Sequence, residues 1–204
     1  MLVPNMTEDE IIKEVRKDYD ILKRKMHYHA QDIRRLVIKG SVKLGDKLLF
    51  DYTSKYKNHW IYRIICFKKE YDYLAMLVYH SGKGHVCIEV AQDGTIMYHT
   101  GHFFLRYNER LNLGLCTFND IVRAFMHESF VYHLQNIDQI SPDVYSFFGR
   151  IETGIILGTA NRKKHFARIN TFLPESSLSY NQKELHEKLR KEIEKYKDGA
   201  NDRL

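Results

Sequence analysis

The chain predicts an α+β fold, and three observations carry that reading. Apolar residues recur at helical spacing near both ends and in the middle of the chain. Two blocks of short runs rich in Ile, Val, Tyr and Phe lie between those segments. Closely spaced turn residues punctuate the blocks, which favours antiparallel hairpins over long crossovers. The expected order is an N-terminal helix, an antiparallel β-meander, two central helices, a second small antiparallel sheet and a C-terminal helix.

Thr7-Glu8-Asp9-Glu10 reads as a capping box, with Thr at the cap and Glu three residues on. The helix that follows carries Ile11, Ile12, Val15, Tyr19 and Leu22 on one side and is expected to reach about Met26. A second short helix is expected over Ala30 to Ile38, broken by Lys39-Gly40-Ser41. Strands follow at Lys47–Ser54, Trp60–Phe67, Tyr73–His80, His85–Ala91 and Thr95–Tyr98, with turns at Ser81–Gly84 and Gln92–Thr95. His102 to about Asn112 reads as a helix that ends near Gly114. Thr117 opens another, expected to run to about Gln135. Val144–Glu152, Gly154–Ala160 and His165–Phe172 read as three more strands. After Pro174, a charged helix runs from Leu178 to about Lys197. The halves divide near residue 99 into subdomains 1–98 and 99–204, or form one continuous domain.

Composition narrows the function classes. The chain has 204 residues, 44% of them hydrophobic, as in an ordinary globular protein. Three Pro and 11 Gly leave little room for disordered linkers. Cys66, Cys87 and Cys116 cannot all pair and form no CxxC, so free thiols in a reducing compartment are expected. The N-terminus lacks the pattern of a signal peptide, and no apolar run approaches a membrane span, so the expected location is the cytoplasm, without membrane contact. A net charge of +6 and a pI near 9.1 favour a polyanionic partner.

The candidate chemistry lies in His102-Phe-Phe-Leu-Arg106-Tyr-Asn-Glu109-Arg110. At about 100° per helical residue, His102, Arg106 and Glu109 share one ridge, with Arg110 at its edge. Phe103, Phe104, Tyr107 and Leu111 turn to the other side. An imidazole transfers protons at neutral pH, guanidiniums clamp phosphate, and a carboxylate orients the imidazole. The same spacing also describes a solvated helix face with an ordinary Arg106–Glu109 pair. A second candidate is the basic hairpin Arg162-Lys163-Lys164-His165, with Arg168 beyond it. It reads either as a nucleic-acid contact or as a solubilising tip. Thr171, closing the last strand, offers a hydroxyl or serves as a plain β-branched strand residue.

Other motifs carry less. His27/His29, His99/His102 and His127-Glu128 with His133 lack the spacing of a zinc helix, and no cysteine cluster supports a metal; neither metal nor cofactor is expected. Ser81-Gly-Lys-Gly84 lacks the spaced glycines of a phosphate loop. Between Lys43 and Lys69 there are seven Lys/Arg against two acids, interleaved with Tyr52, Tyr56, Trp60 and Tyr62. That segment reads as a stacking surface for single strands or as the charged outer face of a sheet. From Asn181 onward, seven basic residues meet six acids, as on a solvated helix.

His102, Arg106, Glu109, Arg110 and Thr171, set on a helix, a helix and a small sheet, resemble the barnase/EndoU/colicin/RelE-like ribonuclease superfamily, in particular its small phage- and mobile-element-borne members. The resemblance covers roughly residues 99–175. It implies metal-independent RNA cleavage, with His102 as base or acid and Glu109 as the orienting carboxylate. Arg106 and Arg110 would clamp phosphate, and His165 would supply the second proton transfer. RNA would be the substrate, and many members are toxins with a neutralising protein partner. The alternative is a non-catalytic accessory protein that binds nucleic acid or another protein.

Overall fold

The computed structural model describes residues 1–68, 70–91, 93–128 and 133–201, with the backbone alone at 133 and 192–201. The capping box forms as the sequence predicts: Thr7 accepts from the Glu10 N–H, and the Glu10 carboxylate accepts from the Thr7 N–H at 2.8 Å. Helix α1 then runs unbroken over Glu8–Ile38. The expected break near Met26 is absent because Met26, Ala30 and Ile33 continue the stripe begun by Ile11, Val15 and Leu22. All six bury on the sheet, and continuous packing outweighs the weak local propensities of His27-Tyr-His29.

The strands are β1 (Lys47–Thr53), β2 (His59–Cys66), β3 (Tyr71–Ser81), β4 (Gly84–Val90) and β5 (Ile96–His99). Helices α2 (Gly101–Arg110) and α3 (Phe118–Glu128) follow. Then come β6 (His133–Ser141), β7 (Val144–Ile151), β8 (Gly154–Asn161) and β9 (Phe166–Pro174), and after a 3-10 turn α4 (Tyr180–Asn201). Two corrections concern this second half. The helix expected to reach Gln135 is described as far as Glu128, and the chain from His133 is a strand, β6; residues 129–132 lie outside the described ones. The second small sheet does not stand alone. All nine strands form one sheet in the order β1-β2-β3-β4-β5-β9-β8-β7-β6. Its halves are antiparallel meanders, joined where β5 pairs with β9 in parallel. That union required a long-range contact, Ile96 to Phe166, which turn signals within each half do not encode.

Alternation along the strands splits the core into two faces. Trp60, Tyr62 and Ile64 of β2 face α1, together with Leu77, Ile88 and Ile96. Ile61, Met76, Cys87 and Met97 face α2 and α3, which add Phe103, Phe104, Tyr107, Val122 and Phe125. Helix α4 lies beside β7 through Leu189. Its strand partners Phe148 and Ile155 alternate with Phe147 and Ile156, so α4 covers the face that α1 covers further along. Gly101 seats the start of α2: a Cβ there would come within 2.3 Å of the His85 carbonyl oxygen.

Candidate functional site

Helix α2 opens at Thr100, whose hydroxyl accepts from the Phe103 N–H at 3.2 Å. Its inner face behaves as the sequence predicts. Phe103, Phe104 and Tyr107 are fully buried and ring Phe125 of α3 at centroid distances of 5.3–5.5 Å. His102 is exposed in the first turn, which carries no acidic residue. Arg106 pairs with Glu109 at 2.8 Å on the surface. Arg110 turns inward and donates to the Phe172 carbonyl of β9. Three of the four ridge residues thus engage one another or the sheet.

The basic hairpin joins β8 to β9, but at the other end of the β5–β9 pair. The Ile96 N–H donates to the His165 carbonyl, whereas the Thr100 N–H, at the head of α2, donates to the Ile169 carbonyl. Four residues, about 13 Å of strand, separate the two levels. Thr171 pairs with Leu157 and shares its face, opposite α2. No single groove collects His102, Arg106, His165 and Thr171.

Three of the hairpin cations, Arg162, Lys164 and Arg168, have protein partners, and among the described residues only the last two meet carboxylates. Lys164 Nζ lies 2.9 Å from Asp9 and Arg168 lies 3.1 Å from Glu8, both acids in the first turn of α1. The hydrogen bond to Asp9 raises the Lys164 pKa above its ordinary value. The Arg168 guanidinium also covers the Tyr98 ring at 4.8 Å, and that of Arg162 covers Tyr145 at 4.3 Å. Lys163 and His165 are exposed, and His165 takes a positive φ of 50° at the turn.

The basic–aromatic run of the first sheet divides by depth. Trp60, Tyr62 and Arg63 are buried rather than displayed. Trp60 Nε1 and Asn58 Nδ2 both donate to the Asp18 carboxylate of α1, at 2.9 and 2.7 Å. Arg63 reaches through the α2–α3 face to the Met126 carbonyl and to Asp72. It satisfies the C-terminal end of α3, where a cation is favourable. Lys47 does the same at the His127 carbonyl, at 2.6 Å. Lys69 lies outside the described residues.

Tyr52 and Tyr56 remain at the surface, half-buried beside α1. The Lys25 ammonium sits over the Tyr52 ring at 4.4 Å, and Lys17 and Lys55 sit over Tyr56 at 4.6 and 5.1 Å. Among the described residues none of these three lysines has a carboxylate partner, nor do exposed Lys13, Arg16 and Lys57. This surface was legible as a segment rich in Lys and Tyr. The contribution of α1 was not, because Lys17 and Lys25 are more than 25 residues from the rings they cover.

Of the paired histidines, His27, His29 and His99 bond neighbours within the fold, and the side chain of His133 lies outside the described ones. His27 bonds the Tyr71 hydroxyl, and His29 bonds that of Tyr62 at 2.9 Å. His99 is buried against Glu89 at 3.2 Å among Phe103, Phe104 and Phe125, while its sequence neighbour His102 faces outward. Glu175, His186 and Glu187 bring potential metal ligands within 4.8 Å of one another. There the His186 Nε2 already accepts from Arg150 Nε at 3.2 Å, and the adjacent guanidinium opposes a dication. Burial, reinforced by Arg150, lowers the His186 pKa. A shallow depression of about 470 Å³ is lined by Tyr107, Leu111, His127, Glu128 and Thr153. Burial pushes the Tyr107 pKa up to about 12, so its phenol stays protonated as a donor.

No family model, curated protein or solved structure matches this chain. Among the described residues, no helix is long and apolar enough to cross a membrane.

Proposed function

We propose that this protein binds RNA through the surface shared by α1, β1 and the β1–β2 loop. One observation carries the reading: where the positive charge is left free. In the second half Arg106, Lys164 and Arg168 are matched by Glu109, Asp9 and Glu8. On α1 and the loop, Lys17, Lys25, Lys55 and Lys57 have no carboxylate partner among the described residues. Unmatched cations attract a polyanion and release its counterions. A lipid surface fits less well, because Ile11, Val15, Leu22 and Met26 of α1 are spent on the core. RNA as the polyanion follows the resemblance of the second half.

The test is RNA affinity by fluorescence anisotropy across a salt series. Replacing Lys17, Lys25 and Lys55 by Gln should weaken binding at least tenfold and flatten the salt slope by about two to three. Replacing Lys163, Lys164 and Arg168 by Gln should change affinity less than threefold. The reverse order would move the site to the hairpin. A parallel incubation in EDTA asks about catalysis. Cleavage to cyclic phosphates that disappears in His102→Ala would make the protein a ribonuclease with His102 in its mechanism. RNA bound but left intact would leave a binding protein.

A further inference from the structure

The lysines of the α1–β1 surface are seated on ring faces, and this bears on what part of a nucleic acid they meet. The Tyr56 ring lies within cation–π reach of two ammoniums, from Lys17 and Lys55, and Tyr52 carries that of Lys25. A base that stacked on the lysine-covered face of either ring would have to displace that ammonium. The other two aromatics of the run, Trp60 and Tyr62, are buried beneath α1. The cations come from two elements, Lys17 and Lys25 from α1 and Lys55 from the loop, and they meet at these rings. Asp18, held at zero exposure, fixes the arrangement by binding Asn58 and Trp60 on either side of His59.

We infer that Tyr52 and Tyr56 are positioning residues: they hold Lys17, Lys25 and Lys55 for contact with backbone phosphates, and the surface reads the phosphate chain, not the bases. This inference rests on the RNA-binding reading above and narrows it. A lysine held on a ring has already given up part of its rotamer freedom, so less is lost when it meets a phosphate. Such a contact carries no sequence information.

Wild-type protein would be titrated with a mixed-sequence oligoribonucleotide and with an abasic ribose-phosphate oligomer of equal length. Equal affinity, within about threefold, with equal salt slopes is expected. Abasic affinity tenfold or more below that of the oligoribonucleotide would show stacking and overturn the inference. Binding of neither oligomer would overturn both the inference and the reading beneath it. The tyrosines are then tested by paired substitutions. Tyr52→Phe with Tyr56→Phe keeps the ring faces and should bind as wild type. Tyr52→Leu with Tyr56→Leu removes them and should weaken both oligomers alike, by roughly three- to tenfold. A Leu variant that loses the oligoribonucleotide but keeps the abasic chain would assign the rings to bases and sink the proposal.

Discussion

Two basic regions of this molecule look alike in sequence and differ in what surrounds them. The hairpin from Arg162 to Arg168 and the surface of α1 with the β1–β2 loop both combine Lys, Arg and aromatic rings. At the hairpin, two of the cations meet carboxylates from the opposite end of the chain, Glu8 and Asp9. At α1 the ammoniums rest on tyrosines, which orient charge without cancelling it. Density of positive charge is therefore a poor guide to a polyanion site. What counts is whether the fold delivers a carboxylate to it.

The largest expected effect lies beneath neither basic region, in the core that α2 and α3 share. Phe125→Ala empties the centre of the cluster formed by Phe103, Phe104 and Tyr107, and should cost about 3–5 kcal/mol in urea unfolding. A cost below about 1 kcal/mol would show that α3 is not packed as described. The α1 surface has its own anchor. Asp18→Ala leaves the Asn58 and Trp60 donors unpaired and should cost roughly 2–3 kcal/mol. It should also weaken RNA binding although every lysine remains, because the loop carrying Lys55 loses its tether. Unchanged affinity in the folded variant would separate the loop from the binding surface.

A subtler change converts one region into the other. Glu8→Gln with Asp9→Asn frees Lys164 and Arg168 while leaving every cation in place. RNA affinity should rise several-fold and the salt slope steepen by up to about two. Loss of the two acids at the head of α1 should cost stability only about 0.5–1 kcal/mol in total, as a helix-dipole effect. If affinity does not rise, neutralisation is not what silences the hairpin.

The smallest expected effect concerns α4. His186 is buried with a lowered pKa, so the unfolded state binds the extra proton more readily. Stability from docking α4 should be complete above the ordinary imidazole value of about 6.5 and decline as the pH falls below it. Hydrogen exchange of the Leu185–Leu189 amides between pH 7 and pH 5 would follow this, and a His186→Phe variant should lose the dependence. Protection that instead rises toward pH 5 would contradict the sign.

Local physics was legible residue by residue. The Thr7 cap, the inward face of α2 and the hairpin strands all lie where periodicity and turn chemistry place them, because each is set by neighbours within a few residues. The candidate site was legible only as residue types. His99 and His102 are three apart, yet His99 ends strand β5 and is buried against Glu89, whereas His102 lies on the side of α2 turned away from the sheet. Arg63 counts as a surface cation in the sequence and in the fold is the buried partner of the Met126 carbonyl.

By itself the sequence determined the α+β class, most of the strands, the capped start of α1 and the basic balance of the chain, since these follow from local propensity, pattern and composition. Tertiary structure decided that both meanders form one sheet, through the parallel β5–β9 pair. It also decided which cations are cancelled: Lys164 meets Asp9 across 155 positions of chain, whereas Lys17 and Lys25 meet tyrosines. Pairing between distant charges depends on where folding brings each element, and no local pattern encodes that distance.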